Sequence, residues 1–137
     1  MIRGNAVALA VAVLLAGAAT NGPALRIVAV VGAQETVDAD VVKRGAKLAR
    51  RSGCATCHSL DGSPHPGPTW KGLYGQRRAL ANGQEVVADE AYLLRSIVEP
   101  DAEIAQAFAK GIMPKDFGRK LSGEKLRAII ELIKSVR

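Results

Sequence analysis

Residues 53–58 read Gly53-Cys54-Ala55-Thr56-Cys57-His58, and they hold both cysteines of the 137-residue chain. Two cysteines in an exported chain would ordinarily suggest a disulfide. The histidine directly after the second one points to a different chemistry. C-x-x-C-H sets two thiols three positions apart, on one side of a single helical turn, with an imidazole beside them. A thioredoxin-like dithiol needs a βαβ setting, and the sequence offers no such strands. A zinc site needs two further ligands at workable spacing, and only His65 remains, in a loop bounded by prolines.

C-x-x-C-H is the attachment signature of haem c. Thiols at this spacing can add to the two vinyl groups on neighbouring haem edges, so Cys54 and Cys57 are the expected thioether positions. His58 then falls beneath the iron as its proximal ligand. A sixth ligand must come from the other side of the ring. Of the two methionines, Met1 and Met113, only the second lies in the body of the chain. It sits in Gly111-Ile112-Met113-Pro114, where Pro114 disfavours helical geometry for Met113. Its alternative role is to fill a core gap, which would leave a five-coordinate iron. His65 is a rival ligand, but seven residues from His58 it is too close to pass around the ring edge. A proximal histidine also needs an acceptor for its other ring nitrogen. Gly67-Pro68 lies ten residues on, and the Pro68 carbonyl is the candidate; otherwise this dipeptide is simply a turn.

Outward from the motif, the pattern is helical. Val41, Val42, Gly45, Leu48 and Ala49 share one face of a helix beginning near Asp38, with Asp40 as its N-cap and Gly53 as its stop. Residues 60–76 contain three prolines and four glycines, which reads as a loop with imposed turns. Asn82-Gly83, between Ala79-Leu80 and Glu85-Val86-Val87, suggests a small hairpin. Asp89 caps a helix through Tyr92, Leu93, Ile97 and Val98 that stops before Pro100. Asp101 is expected to cap a short helix reaching Phe108. Ser122 caps the last helix, with Leu121 and Leu126 as a hydrophobic staple and an apolar stripe of Leu126, Ile129, Ile130 and Ile133. The expectation is an all-α fold: about four short helices around one covalently bound haem, with a small hairpin before the third quarter of the chain.

Residues 1–33 differ from the rest. A basic start is followed by an apolar run from Ala6 to Ala19, and no acidic residue precedes Glu35. This describes a secretory signal with cleavage after Ala33 or Ala18, followed by a flexible lead (34–39) and one domain (40–137). The competing reading is a retained membrane anchor, although neither apolar run reaches the ~20 residues that span a bilayer. The formal charge is +6, falling to +4 if Arg3 and Arg26 leave with the signal. Aromatic content is 4% and no dense basic stripe is present, which argues against nucleic acid as a partner.

Three segments carry a family resemblance: GCATCHSLDGSPHPGPTWKGLYG from Gly53, DEAYLLRSIVEPDAEI from Asp89, and GIMPKDFGRKLSGEKLRAIIELIKS from Gly111. Residues 40–137 resemble a class I c-type cytochrome. They are most similar to the cytochrome c domain fused to subunit II of some haem–copper oxidases. The resemblance implies His58 and Met113 as axial ligands, Pro68 as the carbonyl partner of His58, and terminal helices crossing near Gly45. It also implies Trp70 and Tyr74 packed near the haem. Two positions depart from the family pattern, Ala49 and Leu132, where aromatics are usual; this bears on packing rather than ligation. Both cysteines are used by the haem, so the copper site of a subunit II is not expected.

The functional expectation is a one-electron carrier, not an enzyme, in an extracytoplasmic respiratory or dehydrogenase-linked chain. The alternatives are a cytochrome subunit of a larger oxidase or dehydrogenase complex, and a haem enzyme or gas sensor with an open sixth position. The partners expected are redox proteins. Lys110, Lys115, Arg119 and Lys120 around Met113, with Lys71, Arg77 and Arg78 in the preceding loops, form either a steering surface for an acidic partner or an ordinary solvated face.

Overall fold

The computed structural model describes residues 38–137. The expected signal segment, with its cleavage points, and residues 34–37 of the lead lie outside the described residues. Helix α1 spans Ala39–Arg51. Its N-cap is Asp38, not Asp40: Asp38 adopts extended backbone and its carboxylate accepts the Asp40 N–H at 2.9 Å. Asp40 already lies in the first turn, where its charge favours the helix dipole. The chain turns out of α1 through Ser52 and then Gly53, whose φ of 80° is the left-handed conformation glycine adopts without strain. That turn leads directly into α2, the four-residue helical turn Cys54–Cys57.

The 59–76 loop reaches the hairpin of β1 (Arg77–Ala79) and β2 (Glu85–Val87), paired antiparallel with Arg77 opposite Val87 and Ala79 opposite Glu85. Leu80 N–H bonds to Gln84 O at 2.8 Å, and Gly83 takes a φ of 83° to close the loop between them. Helix α3 spans Glu90–Val98 and begins where expected, with Asp89 accepting the Tyr92 N–H at 2.7 Å.

The short helix expected from Asp101 to Phe108 does not form. Its backbone bonds go elsewhere: Ala81 N–H donates to Ile104 O and Gln106 N–H to Ala79 O, each at 2.8 Å, and Ala105 bridges to Leu80. Pairing with the end of the hairpin thus replaces the helical ladder, and Ala107, at a φ of 71°, turns the chain back. A single turn, α4 (Phe117–Lys120), appears instead beyond Met113.

Helix α5 (Gly123–Ser135) closes the fold. Ser122 precedes it in extended backbone but makes no side-chain capping bond. The helix buries Leu126, Ile129, Ile130 and Ile133 as the spacing predicts, together with Ala128 and Leu132. Full burial of Ile129 and Ile133 stabilises by about 2–3 kcal/mol each. It crosses α1 at Gly45, where an added Cβ would stand 2.0 Å from the Ala128 carbonyl oxygen and 3.1 Å from Leu132 Cβ. The smaller side chains at Ala49 and Leu132 are both buried in the resulting core. Among the described residues, no helix is long and apolar enough to cross a membrane. Helices and hairpin together make a small helical domain whose core (Trp70, Tyr92, Ile97, Phe117 and Ile129 among others) forms one wall of a cleft.

Candidate functional site

The cleft encloses about 380 Å³, a volume in the range of small-molecule and cofactor sites. The α2 turn supplies one side. Cys54 and Cys57 are free, half-buried thiols, and both line the cleft. Burial pushes the Cys54 thiol above its ordinary value, with the neighbouring Cys57 adding to the effect. It therefore stays protonated at neutral pH rather than acting as a free nucleophile.

His58 leaves α2 in extended backbone, and its Nδ1 stands 2.7 Å from the Pro68 carbonyl oxygen. A carbonyl only accepts, so Nδ1 carries the proton and the lone pair lies on Nε2. Burial holds the His58 pKa below the ordinary imidazole value, against the opposing effect of the Pro68 bond, and favours the neutral ring a metal ligand must be. Trp70 stacks on the imidazole with ring centroids 5.2 Å apart and planes inclined by 18°.

The loop that brings Pro68 and Trp70 back to His58 is fastened at Ser59. Its carbonyl accepts the Trp70 N–H at 2.8 Å and the Thr69 hydroxyl at 3.1 Å, while its buried hydroxyl donates to Ser63 O at 2.7 Å. Gly67 N–H bonds to Cys57 O at 2.8 Å. Sequence reasoning passed over Ser59 and Thr69, because a serine beside a loop carries no distinguishing pattern. Gly67 had a signal in the Gly-Pro pair.

Met113 lines the same cleft from the loop after Ala105, half-buried against the core. Gly111, at a φ of 79°, turns the backbone into this loop. Trp70 also lines the cleft, whereas Tyr74 is not among its lining residues: it is 38% exposed, with the Lys134 ammonium 5.5 Å above its ring. His65 is exposed, and its contacts are with Ser63. Tyr92, Ser96, Phe117 and Ile129 complete much of the wall, and sequence reasoning had assigned Tyr92 and Ile129 only to helix packing.

The basic residues around the Met113 loop are partly compensated. Lys115 pairs with Asp101, Lys120 with Asp116, and Arg77 with Glu85. Arg78 is half-buried. The local positive potential is therefore lower than a count of cations along the sequence suggests.

The donor set fits a covalently held haem. Two thiols on one turn, an imidazole with its lone pair on Nε2 and a thioether share one mostly apolar cleft. The glycine at position 67 leaves room that a Cβ would take from the imidazole, standing 2.7 Å from His58 Cε1. No curated protein matches the chain. Residues 42–137 match the family model described as Cytochrome c, and the chain therefore belongs to the cytochrome c family, a haem c electron carrier with the cofactor bound covalently.

Proposed function

We propose that this cytochrome is a monohaem one-electron carrier working outside the cytoplasm in a respiratory or dehydrogenase-linked chain. In this reading Cys54 and Cys57 would hold the haem through thioethers, and His58 Nε2 and Met113 Sδ would ligate its iron. The observation that carries it is the 2.7 Å approach of His58 Nδ1 to Pro68 O, which leaves the lone pair on Nε2 of a histidine that lines the same cleft as both cysteines and Met113. Once bound, haem c supplies a single iron that alternates between ferrous and ferric states. The Pro68 carbonyl orients His58 and raises its basicity. Met113 contributes a neutral thioether, which raises the reduction potential relative to an anionic ligand. With His58 and Met113 both as donors, the iron would offer no coordination site to a substrate, and its chemistry would be electron transfer. The resemblance of the three segments to the haem domain fused to oxidase subunit II favours the second reading, in which the chain is a cytochrome subunit of a larger oxidase or dehydrogenase complex.

A visible spectrum under denaturing conditions tests attachment: absorbance that stays with the polypeptide supports the thioethers, and absorbance that separates from it overturns them. Met113→Ala tests ligation. It should lower the potential, abolish the far-red absorption of the ferric methionine–iron bond and admit carbon monoxide to the reduced protein. An unchanged spectrum and potential would refute the assignment. Native purification as a free small cytochrome supports a diffusible carrier; co-elution with larger subunits would make it part of a complex.

A further inference from the structure

The loop bearing Met113 has little backbone support. Among the described residues, 109–115 belong to no helix or strand, and their backbone closes only turns, at 110–111 and 115–116. Pro114 has no N–H to give, and Gly111 sits in the left-handed region. Such a segment would be free to swing unless something outside it holds it.

One side chain reaches it from the far end of α3. Val98 is the last residue of that helix, and after Pro100 the Asp101 carboxylate turns toward the loop and meets it twice. Oδ1 accepts the Gly111 N–H at 2.8 Å. Oδ2, which is buried, is met by the Lys115 ammonium as an ion pair. The Asp101 side chain is only 18% exposed, and Asp101 itself lines the cleft. Its two contacts fall two residues before and two residues after Met113. The helix behind it is anchored, with Tyr92, Leu93 and Ile97 buried.

We propose that Asp101 is the positioning residue for Met113: one carboxylate clips both shoulders of the loop to the end of α3 and so fixes where the thioether stands in the cleft. This rests on the reading of Met113 as the second axial donor. A carboxylate suits the task because one oxygen takes a backbone N–H while the other takes a cation. Asparagine would keep an acceptor for Gly111 but lose the attraction to Lys115. Alanine would lose both. Lys115→Gln would lose the ion pair alone.

The test follows the far-red absorption of the ferric methionine–iron bond and the far-UV helical signal together through a denaturant titration, using holoprotein of the wild type, Asp101→Ala, Asp101→Asn and Lys115→Gln. The expected result is that the far-red band disappears at lower denaturant than the helices in the variants, most in Asp101→Ala and less in the other two. Carbon monoxide affinity of the reduced protein should rise by about tenfold in Asp101→Ala, because the open loop is populated more often. If the band and the helical signal shift together in every variant, Asp101 merely stabilises the fold and the proposal is overturned. If Asp101→Ala yields no folded holoprotein, Asp101→Asn and Lys115→Gln decide by the same criterion. Met113→Ala runs alongside: a band that survives it refutes the ligand reading, whereas a band lost there but unaffected by the Asp101 variants refutes the tether alone.

Discussion

His58 Nδ1 and the Pro68 carbonyl oxygen are 2.7 Å apart although ten residues separate them in the chain. The contact exists because the loop between them is knotted to Ser59 at one end and to Cys57 O through Gly67 at the other. Nothing about His58 alone would orient its ring; the loop does. The absence of a side chain at residue 67 is part of that geometry, since a Cβ there would stand 2.7 Å from Cε1 and 3.0 Å from Nδ1 of the imidazole.

Gly67→Ala should therefore change the electronics of the iron rather than simply the stability. Either the ring tilts or the loop retreats, and both lengthen the bond to Pro68. An imidazole relieved of that acceptor is a weaker donor and stabilises ferric iron less. The potential should rise, by about 59 mV for each tenfold loss of ferric stabilisation. A redox titration that gives the wild-type potential would mean the loop absorbs the methyl group without disturbing the bond.

Gly45→Ala addresses the helix crossing. Its new Cβ would lie 2.0 Å from the Ala128 carbonyl oxygen, which is backbone and cannot rotate away. Relief requires α1 and α5 to separate, against the gain of about 1 kcal/mol in helix propensity from replacing glycine by alanine. Overpacking of this kind costs about 1–3 kcal/mol, occasionally more, so destabilisation should win. Chemical denaturation should show a lower midpoint with an unchanged slope. A midpoint equal to or above the wild type would show that the crossing is looser than the contact implies.

The attachment turn, the hairpin, the boundaries of α3 and the start of α5 were legible in the sequence because each is set by local chemistry. Cys54 to His58 is a five-residue pattern, Asn82-Gly83 closes a loop by itself, and Asp89 caps the helix that follows it. The segment from Asp101 to Phe108 was misread for the opposite reason. Its partners, Ala79 and Ala81, lie more than twenty residues upstream, and an aspartate followed by alanines looks like a helix start when they are out of view. The true work of Asp101, on Gly111 and Lys115, is equally non-local. At the start of α1, Asp38 and Asp40 offer nearly the same local signal, and only geometry separates them. Lys134, sixty residues downstream, stands above the Tyr74 ring, a contact that no local pattern registers.

Ala107 offers a test by relief of strain. Its φ of 71° is the one positive value at a non-glycine position among the described residues. The left-handed conformation costs an alanine about 1–2 kcal/mol, while glycine brings about 0.4–1 kcal/mol of extra unfolded-state entropy to be lost. The first term is the larger, so Ala107→Gly should raise stability by about 0.5–1 kcal/mol. A lower thermal midpoint in the variant would contradict the backbone conformation at this turn.

Lys134 joins α5 to α3. Its side chain is 10% exposed, with Nζ 2.8 Å from Glu131, 3.4 Å from Glu90 and 5.5 Å above the Tyr74 ring. The hydrogen bond to Glu131, reinforced by both carboxylates, holds its pKa above the ordinary lysine value. A cation favoured by the fold contributes stability that is fully present below the unfolded pKa of about 10.4 and is lost as pH rises through the higher folded value. Lys134→Met keeps much of the stem but removes the charge, leaving Glu131 half-buried without it; it should cost about 1.5–2 kcal/mol at neutral pH. The decisive measurement is the difference between wild type and variant across an alkaline series. That difference should stay constant from pH 7 to about 10 and shrink above it. A difference that persisted undiminished into strong alkali would mean that Lys134 acts through its packed stem, and that the charge contributes nothing.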